Sequence, residues 1–240
     1  MKILITNDDG IASPALPHLI RWAKKRGEVV AIAPKVEQSG KSHAIHFTRD
    51  IEIKKVQLAP DVEAIAVDST PADCVRYGIM GLAGQYDLLL SGINRGYNLG
   101  ADIVYSGTVG AIFEGARSDI MGIALSAEPT VFESAHEYLD MIFDFIKEGS
   151  LQDYHCLYNV NIPPVVKGIR ITRQGGIYYT DRFVHCGGDM YRQVGEIAKT
   201  DTPDLETDID AVNAGYISIT PLVATRTDMA VFEQLKHLNG

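Results

Sequence analysis

Five short runs of near-continuous apolar residues punctuate the first half of the chain. They are Lys2–Thr6 (KILIT), Glu28–Ala33 (EVVAIA), Glu63–Val67 (EAIAV), Asp87–Ser91 (DLLLS) and Gly122–Ser126 (GIALS). Runs this short, without polar alternation, predict strands buried on both faces, as in a parallel sheet. Between the first two, Leu16, Leu19, Ile20 and Ala23 fall at i, i+3, i+4 and i+7. That spacing predicts a helix, with Ser13 as N-cap and Pro14 as its first residue. Thr70-Pro71-Ala72-Asp73 opens a second helix, with Val75, Ile79 and Leu82 along one stripe. Thr130-Val131-Phe132-Glu133 has the form of a capping box and precedes Leu139, Ile142, Phe143 and Ile146. Strands alternating with helices in this way predict a three-layer α/β fold with right-handed crossovers.

The texture changes after about Leu157. LYNVNIP, GIRITRQ and IYYTDRFVHCGGDMYRQVGE are β-rich, and the last turns at Gly187-Gly188 between two strand-like arms. Its aromatics Tyr178, Tyr179, Phe183 and Tyr191 fit either a hairpin reaching out of the body or one folded back on the core. A loop (Thr200–Asp208), the strand YISITPL and a short helix to His237 follow. The chain is therefore expected to form one domain over 1–240. Within it, 177–196 would protrude as a hairpin and 216–240 would supply a C-terminal strand and helix.

Composition narrows the class. A chain of 240 residues with 46% hydrophobic and 22% charged positions is long enough for one sizeable core. The net charge of −9 argues against a nucleic-acid duplex as partner, because phosphate-backbone binders carry a basic patch. Cys74, Cys156 and Cys186 are odd in number and form no CxxC pair, so neither a disulfide framework nor a zinc ribbon is suggested. No basic-then-apolar leader opens the sequence, and no apolar run approaches the ~18 residues that span a bilayer. These features predict a cytoplasmic protein with no membrane partner.

Open parallel sheets bind ligands beyond the carboxyl ends of their strands. Asp8 and Asp9 follow the first strand, Ser39 lies in the loop after the second, and Asn94 follows LLLSGI. Two carboxylates, a hydroxyl and an amide oxygen form a hard, all-oxygen set suited to Mg²⁺ or Mn²⁺. Two nearby segments suit a phosphate. SGINRGYNLGAD spaces Gly92, Gly96 and Gly100 four apart, so backbone amides can approach a ligand closely. Ser106-Gly107-Thr108 then leads into a helix whose first N–H groups form an anion site. Other motifs fail. Gly40-Lys41-Ser42 imitates the end of a phosphate-binding Walker loop, but Lys35 stands where its first glycine is required. No GxGxxG follows the first strand.

The motifs NDDG (Asn7–Gly10), AP…QSG (Ala33–Gly40), STPADCV (Ser69–Val75), SGINRGYNLG (Ser91–Gly100) and YSGTVGA (Tyr105–Ala111) run in order along the chain. With NVNIP (Asn159–Pro163) and TDIDAVNAGYISITPL (Thr207–Leu222), they make the sequence resemble the SurE family of stationary-phase survival proteins. The resemblance implies a Rossmann-like core. It also implies a metal-dependent phosphatase of nucleoside 5′- and 3′-monophosphates, assembled as a homodimer or homotetramer through C-terminal arms. The family's metal ligands map onto Asp8, Asp9, Ser39 and Asn94, and its phosphate-side residues onto Asn98, Ser106, Gly107 and Thr108. The stretch KSHAIHF (Lys41–Phe47) departs from the family pattern, so no substrate contact is carried onto His43 or His46.

A single divalent cation, Mg²⁺ or Mn²⁺, would then neutralise the adjacent carboxylates and orient a phosphate, with Asp8 or Asp9 as the base. Arg95 is a candidate for extra positive charge. Two alternatives are a non-catalytic nucleotide sensor and a sugar-phosphate phosphatase on the same scaffold.

Overall fold

The run KILIT forms β1 (Lys2–Thr6) at the middle of the sheet, flanked by parallel strands on both sides. The computed structural model describes residues 1–198 and 202–239. Thr200 and Asp201, at the start of the expected loop, and the terminal Gly240 lie outside the described residues. Among the described residues nine strands form one sheet in the order β3-β4-β2-β1-β5-β6-β7-β11-β8. These are β2 (Glu28–Pro34), β3 (Ile53–Ala59), β4 (Val62–Val67), β5 (Leu88–Arg95), β6 (Met121–Ala127), β7 (Leu157–Ile162), β8 (Gly168–Ile171) and β11 (Tyr216–Pro221). Six central strands are parallel. β3 pairs antiparallel with β4, β11 antiparallel with β7, and β8 parallel with β11. The expected α/β class with a mostly parallel sheet is what the chain adopts.

The apolar runs are continuous because successive side chains enter different cores. Ile3 and Ile5 pack on the face covered by α1 (Ala15–Lys24) and α4 (Leu139–Glu148), with Leu16, Leu19, Leu139 and Ile142. Leu4 enters the opposite core with Val75 of α2 (Pro71–Arg76) and Ile112 of α3 (Gly107–Ala116). Each such side chain, fully buried, contributes about 1.5–3 kcal/mol. Strand β1 is also the switch point. The chain moves outward from it through β2 to β4, then returns to its other side at β5, and a crevice opens where the crossovers diverge.

Several local expectations need correction. Ser13 makes no side-chain cap on α1; its buried hydroxyl has no partner and Pro14 takes the N-cap position. The helix after the 130–133 box begins only at Leu139, preceded by a 3₁₀ turn over Ala135–Tyr138. Thr130 instead turns back, giving both its N–H and its hydroxyl to Glu128. The Thr70 cap holds, accepting Asp73 N–H at 3.1 Å, but a π turn over Tyr77–Gly81 breaks the stripe and leaves Leu82 exposed. Strand β3 had no expectation. It is an edge strand whose Lys54 and Lys55 stand in solvent, so its pattern is too polar to register as a buried run.

The hairpin consists of β9 (Tyr179–Gly187) and β10 (Met190–Ile197), antiparallel to each other and outside the main sheet. Nearly all of it is exposed, including Phe183, Met190, Tyr191 and Ile197. Tyr178 is different: it is buried beside Leu99 and Val212 and anchors the hairpin's base. An isolated two-stranded hairpin is marginal in water. Deleting Ile177–Glu196 is expected to shift the protein toward monomer in light scattering; an unchanged mass would exclude the hairpin as an oligomerisation arm. Two further helices, α5 (Leu151–Tyr154) and α6 (Asp208–Asn213), precede β7 and β11, and α7 (Met229–Leu235) matches the expected C-terminal helix.

Candidate active site

The segment NDDG is a turn with a charged tip. Asn7 is fully buried and clamps Gly10, donating to its carbonyl at 3.0 Å and accepting its N–H at 3.1 Å. Gly10 has φ +91°, and a Cβ there would meet the Val36 backbone at 3.0 Å. Side chain and glycine together fold the turn that presents Asp8 and Asp9 at the crevice.

Asp8 is buried against the start of α3. Its Oδ1 accepts the Thr108 hydroxyl at 2.5 Å and its Oδ2 accepts Thr108 N–H at 3.2 Å. The approach requires a small neighbour, since a Cβ on Gly107 would sit 3.0 Å from the Asp8 Cβ. Ser106 is the N-cap of α3, its Oγ accepting Val109 N–H at 3.1 Å. Of the first-turn amides, Gly107 N–H is the one committed to neither Asp8 nor Ser106.

Asp9 faces a cavity of about 290 Å³ lined by Ser13, Glu37, Ser39, Arg95 and Phe132 among others. Its Oδ2 accepts Arg95 N–H at 3.0 Å, which ties β1 to the carboxyl end of β5. Strand β5 runs through Arg95, with a register shift against β6 between Ser91 and Asn94. Gly92 lies in that irregular stretch. Its φ is +139° and a Cβ would stand 2.2 Å from the Leu125 carbonyl, so no other residue fits. Asn94 then donates Nδ2 to the Gly96 carbonyl at 2.8 Å, which fixes its amide and turns Oδ1 the other way. Ser39 is exposed and donates to Glu37 Oε1 at 2.7 Å.

Of the sequence-derived residues, Asp8, Asp9, Ser39, Asn94, Gly107 and Thr108 gather at the ends of β1, β2 and β5 and the start of α3. Asn98 hydrogen-bonds elsewhere, to Ser126 on β6 and to Asn159 and Asn161 on β7. His43 pairs with the buried Glu114 at 2.7 Å, and His46 N–H caps Asp73, away from the carboxylate pair. Burial alone would raise the Glu114 carboxyl, but its hydrogen bonds to His43 and Arg76 outweigh that and hold it low. Glu37 was missed by sequence reasoning. It bears on both Asp8 and Asp9 electrostatically, and its only sequence signal is a place two residues before Ser39.

The electrostatics are those of an uncompensated pair. Burial pushes the Asp8 carboxyl above its usual range, and its Thr108 bonds only partly offset this. Burial, and then the Asp8 charge, push Asp9 up to about 6 against the Arg95 N–H bond. A divalent cation fits this donor set. Among the described residues no group of three or more His, Cys, Asp or Glu converges, so two carboxylates and neutral oxygens are what the site offers a metal. That is the chemistry of a hard cation. Buried Cys74 is not a nucleophile: burial pushes its thiol far up.

Because Thr108 binds Asp8 directly, Thr108→Val should free the Asp8 carboxylate, which loses a hydroxyl bond that contributes about 1.5–3 kcal/mol. Mn²⁺ affinity by calorimetry should fall with it; unchanged affinity would show that the bond does not set the carboxylate for a cation.

The family model described as Survival protein SurE matches residues 3–181. The chain belongs to the SurE family. It is 38% identical over 250 residues to the 5′-nucleotidase SurE of Thermosipho melanesiensis, covering 98% of this chain and 96% of the relative. It is also 38% identical over 252 residues to the 5′-nucleotidase SurE of Caldanaerobacter subterraneus subsp. tengcongensis, at 100% and 96% coverage. The crystal structure of the SurE protein from Aquifex aeolicus superposes with a TM-score of 0.80 at 35% identity, covering both chains completely. Family membership therefore extends to the C-terminal strand and helix as well as to the carboxylate turn.

Proposed function

We propose that this protein is a phosphoric monoester hydrolase, a divalent-metal-dependent 5′-nucleotidase that also accepts nucleoside 3′-monophosphates. The observation that carries this reading is the Asp8–Asp9 pair, with Asp8 held against the N-terminus of α3 and Asp9 facing the cavity from its bond to Arg95 N–H. The names of its SurE relatives support the substrate class.

Asp8, Asp9, Ser39 and the Asn94 amide oxygen would hold one Mg²⁺ or Mn²⁺. Bound there, the cation supplies charge neutralisation and Lewis acidity toward a phosphate oxygen. The protein's own groups do the rest. Thr108 fixes the Asp8 carboxylate through two bonds, so its orientation is set before substrate arrives. Asp8 or Asp9 would serve as the base; Asp9 faces the cavity, whereas Asp8 is buried against α3. Arg95 lines the same cavity and offsets Glu37, keeping the loaded site near neutral. Gly107 N–H and the α3 dipole favour the negative phosphoryl oxygens.

Among the described residues no helix is long and apolar enough to cross a membrane. We place the enzyme in the cytoplasm as a homodimer or homotetramer, a state supported by the unpartnered hairpin. The deciding experiment is phosphate release from 5′-AMP, 3′-AMP and a sugar phosphate with Mn²⁺. Release from the nucleotides is expected. Release from the sugar phosphate alone would reassign the substrate, and binding of nucleotide without release would make the protein a sensor.

A further inference from the structure

Asn159 and Asn161 lie two apart on β7, so their side chains leave the same face of the sheet. Both are fully buried. Amides at such depth are kept where their hydrogen bonds matter, and these two converge on one residue. Asn161 Oδ1 accepts Asn98 N–H at 2.8 Å, and Asn161 Nδ2 donates to the Asn98 carbonyl at 2.9 Å. Asn159 Nδ2 donates to the same carbonyl at 2.8 Å, which fills both of its lone pairs. The Asn98 side chain donates to Ser126 Oγ at 2.8 Å. Asn159 Oδ1 is buried and has no partner among the described residues, so the bond this amide does make is its donation to Asn98.

Gly96 and Gly100 both have positive φ, +127° and +55°, so the chain turns at each end of the stretch Tyr97–Leu99, in which Leu99 is buried beside Tyr178. The stretch links Asn94 and Arg95 at the carboxylate pair to the 3₁₀ turn Gly100–Tyr105 that delivers Ser106. A second anchor lies at its far end, where Gly100 N–H donates to buried Asp208 at 3.0 Å and Gln174 donates to the Gly100 carbonyl at 3.0 Å.

We propose that Asn161, assisted by Asn159, is a positioning residue for phosphate-ester hydrolysis, clamping the Asn98 main chain and so the segment between the carboxylate pair and α3. Its activity arm rests on the nucleotidase reading; its structural arm does not.

The test uses the full-length protein with Mn²⁺ and 5′-AMP. Asn161→Leu keeps the size of the side chain and removes both bonds. It should lower kcat/KM about 100-fold, the scale of a ~1 Å misplacement. Mn²⁺ affinity by calorimetry should stay within about threefold of the parent. Amide exchange should quicken about tenfold or more across 96–100 while β1 and β5 keep parental protection. Asn159→Leu removes only the assisting bond to the Asn98 carbonyl and should fall between; it is the variant to read if the Asn161 leucine variant does not fold. Ser218→Ala removes a buried, unpartnered hydroxyl opposite Asn161 and should keep parental rates. Parental kcat/KM with parental exchange in Asn161→Leu would overturn the proposal. So would parallel losses of turnover and Mn²⁺ affinity, which mark a general structural role. If the parent hydrolyses no phosphate ester, the nucleotidase reading falls and exchange decides the clamp. Loosening confined to 96–100 upholds it, and unchanged exchange removes it.

Discussion

Exhaustive chelation should reduce phosphate release from 5′-AMP to background, and Mg²⁺ or Mn²⁺ should restore it. The expectation follows from the charges at the crevice. A phosphate dianion entering the bare site meets Asp8 and Asp9, with Glu37 nearby and only Arg95 in opposition. At an effective dielectric near 20 and about 5 Å, each unit of phosphate charge against one carboxylate costs about 3 kcal/mol. Two such repulsions weaken binding by more than about 10³-fold, before any loss of chemistry. Phosphate release that survives chelation unchanged would show that the pair works without a cation.

The second large effect is at the pair itself. Asp9→Asn should lower turnover by orders of magnitude, since it removes both a ligand and a candidate base. It should not destabilise the protein without metal. The Asp9 carboxyl rises from 3.8 to about 6 on folding. A raised acid holds its proton more tightly in the folded state, so stability falls as pH rises through this window. Above about pH 6 the full penalty is present. Two pH units correspond to about 3 kcal/mol, and water reaching the half-buried group reduces this to about 1–2 kcal/mol. The metal-free Asn variant should therefore melt at or above the parent at pH 7.5, and the difference should shrink toward pH 4.5. Metal should raise the parent Tm and barely move the variant, because that stabilisation follows affinity. Thermal melts at two pH values, with and without Mn²⁺, check each statement. A variant with parental activity would place the chemistry elsewhere.

The interior of the sheet was legible in the sequence because the apolar residues of KILIT and DLLLS are buried on one face or the other, which leaves a nearly unbroken apolar run. The edge strand β3 was not: Ile53, Lys54, Lys55 and Gln57 are exposed, and the two lysines mask the pattern. The Thr130 box misled for a local reason, since Glu128 captures Thr130 before a helix can use it. At the candidate site, the sequence offers Asp8, Asp9 and Thr108 as candidates by their chemistry and their place after β1 and before α3. What they bond to was not legible, because Thr108 reaches Asp8 across 100 positions of sequence. Separations of 61 and 63 positions likewise hid the bonds of Asn159 and Asn161 to Asn98, residues the sequence offered only as part of the NVNIP motif.

The two edges of the nine-stranded sheet have a consequence for self-association. Any exposed edge is a template on which another chain can add a strand. Here one edge, β3, carries Lys54 and Lys55 in adjacent exposed positions, so an incoming copy would have to desolvate charged side chains to pair with it. The other, β8, is four residues long and includes Arg170. Neither offers a long apolar register for a foreign strand. Runaway stacking through the main sheet is thereby blocked at both ends, and a concentrated solution of this protein should resist fibril formation as long as the sheet stays folded.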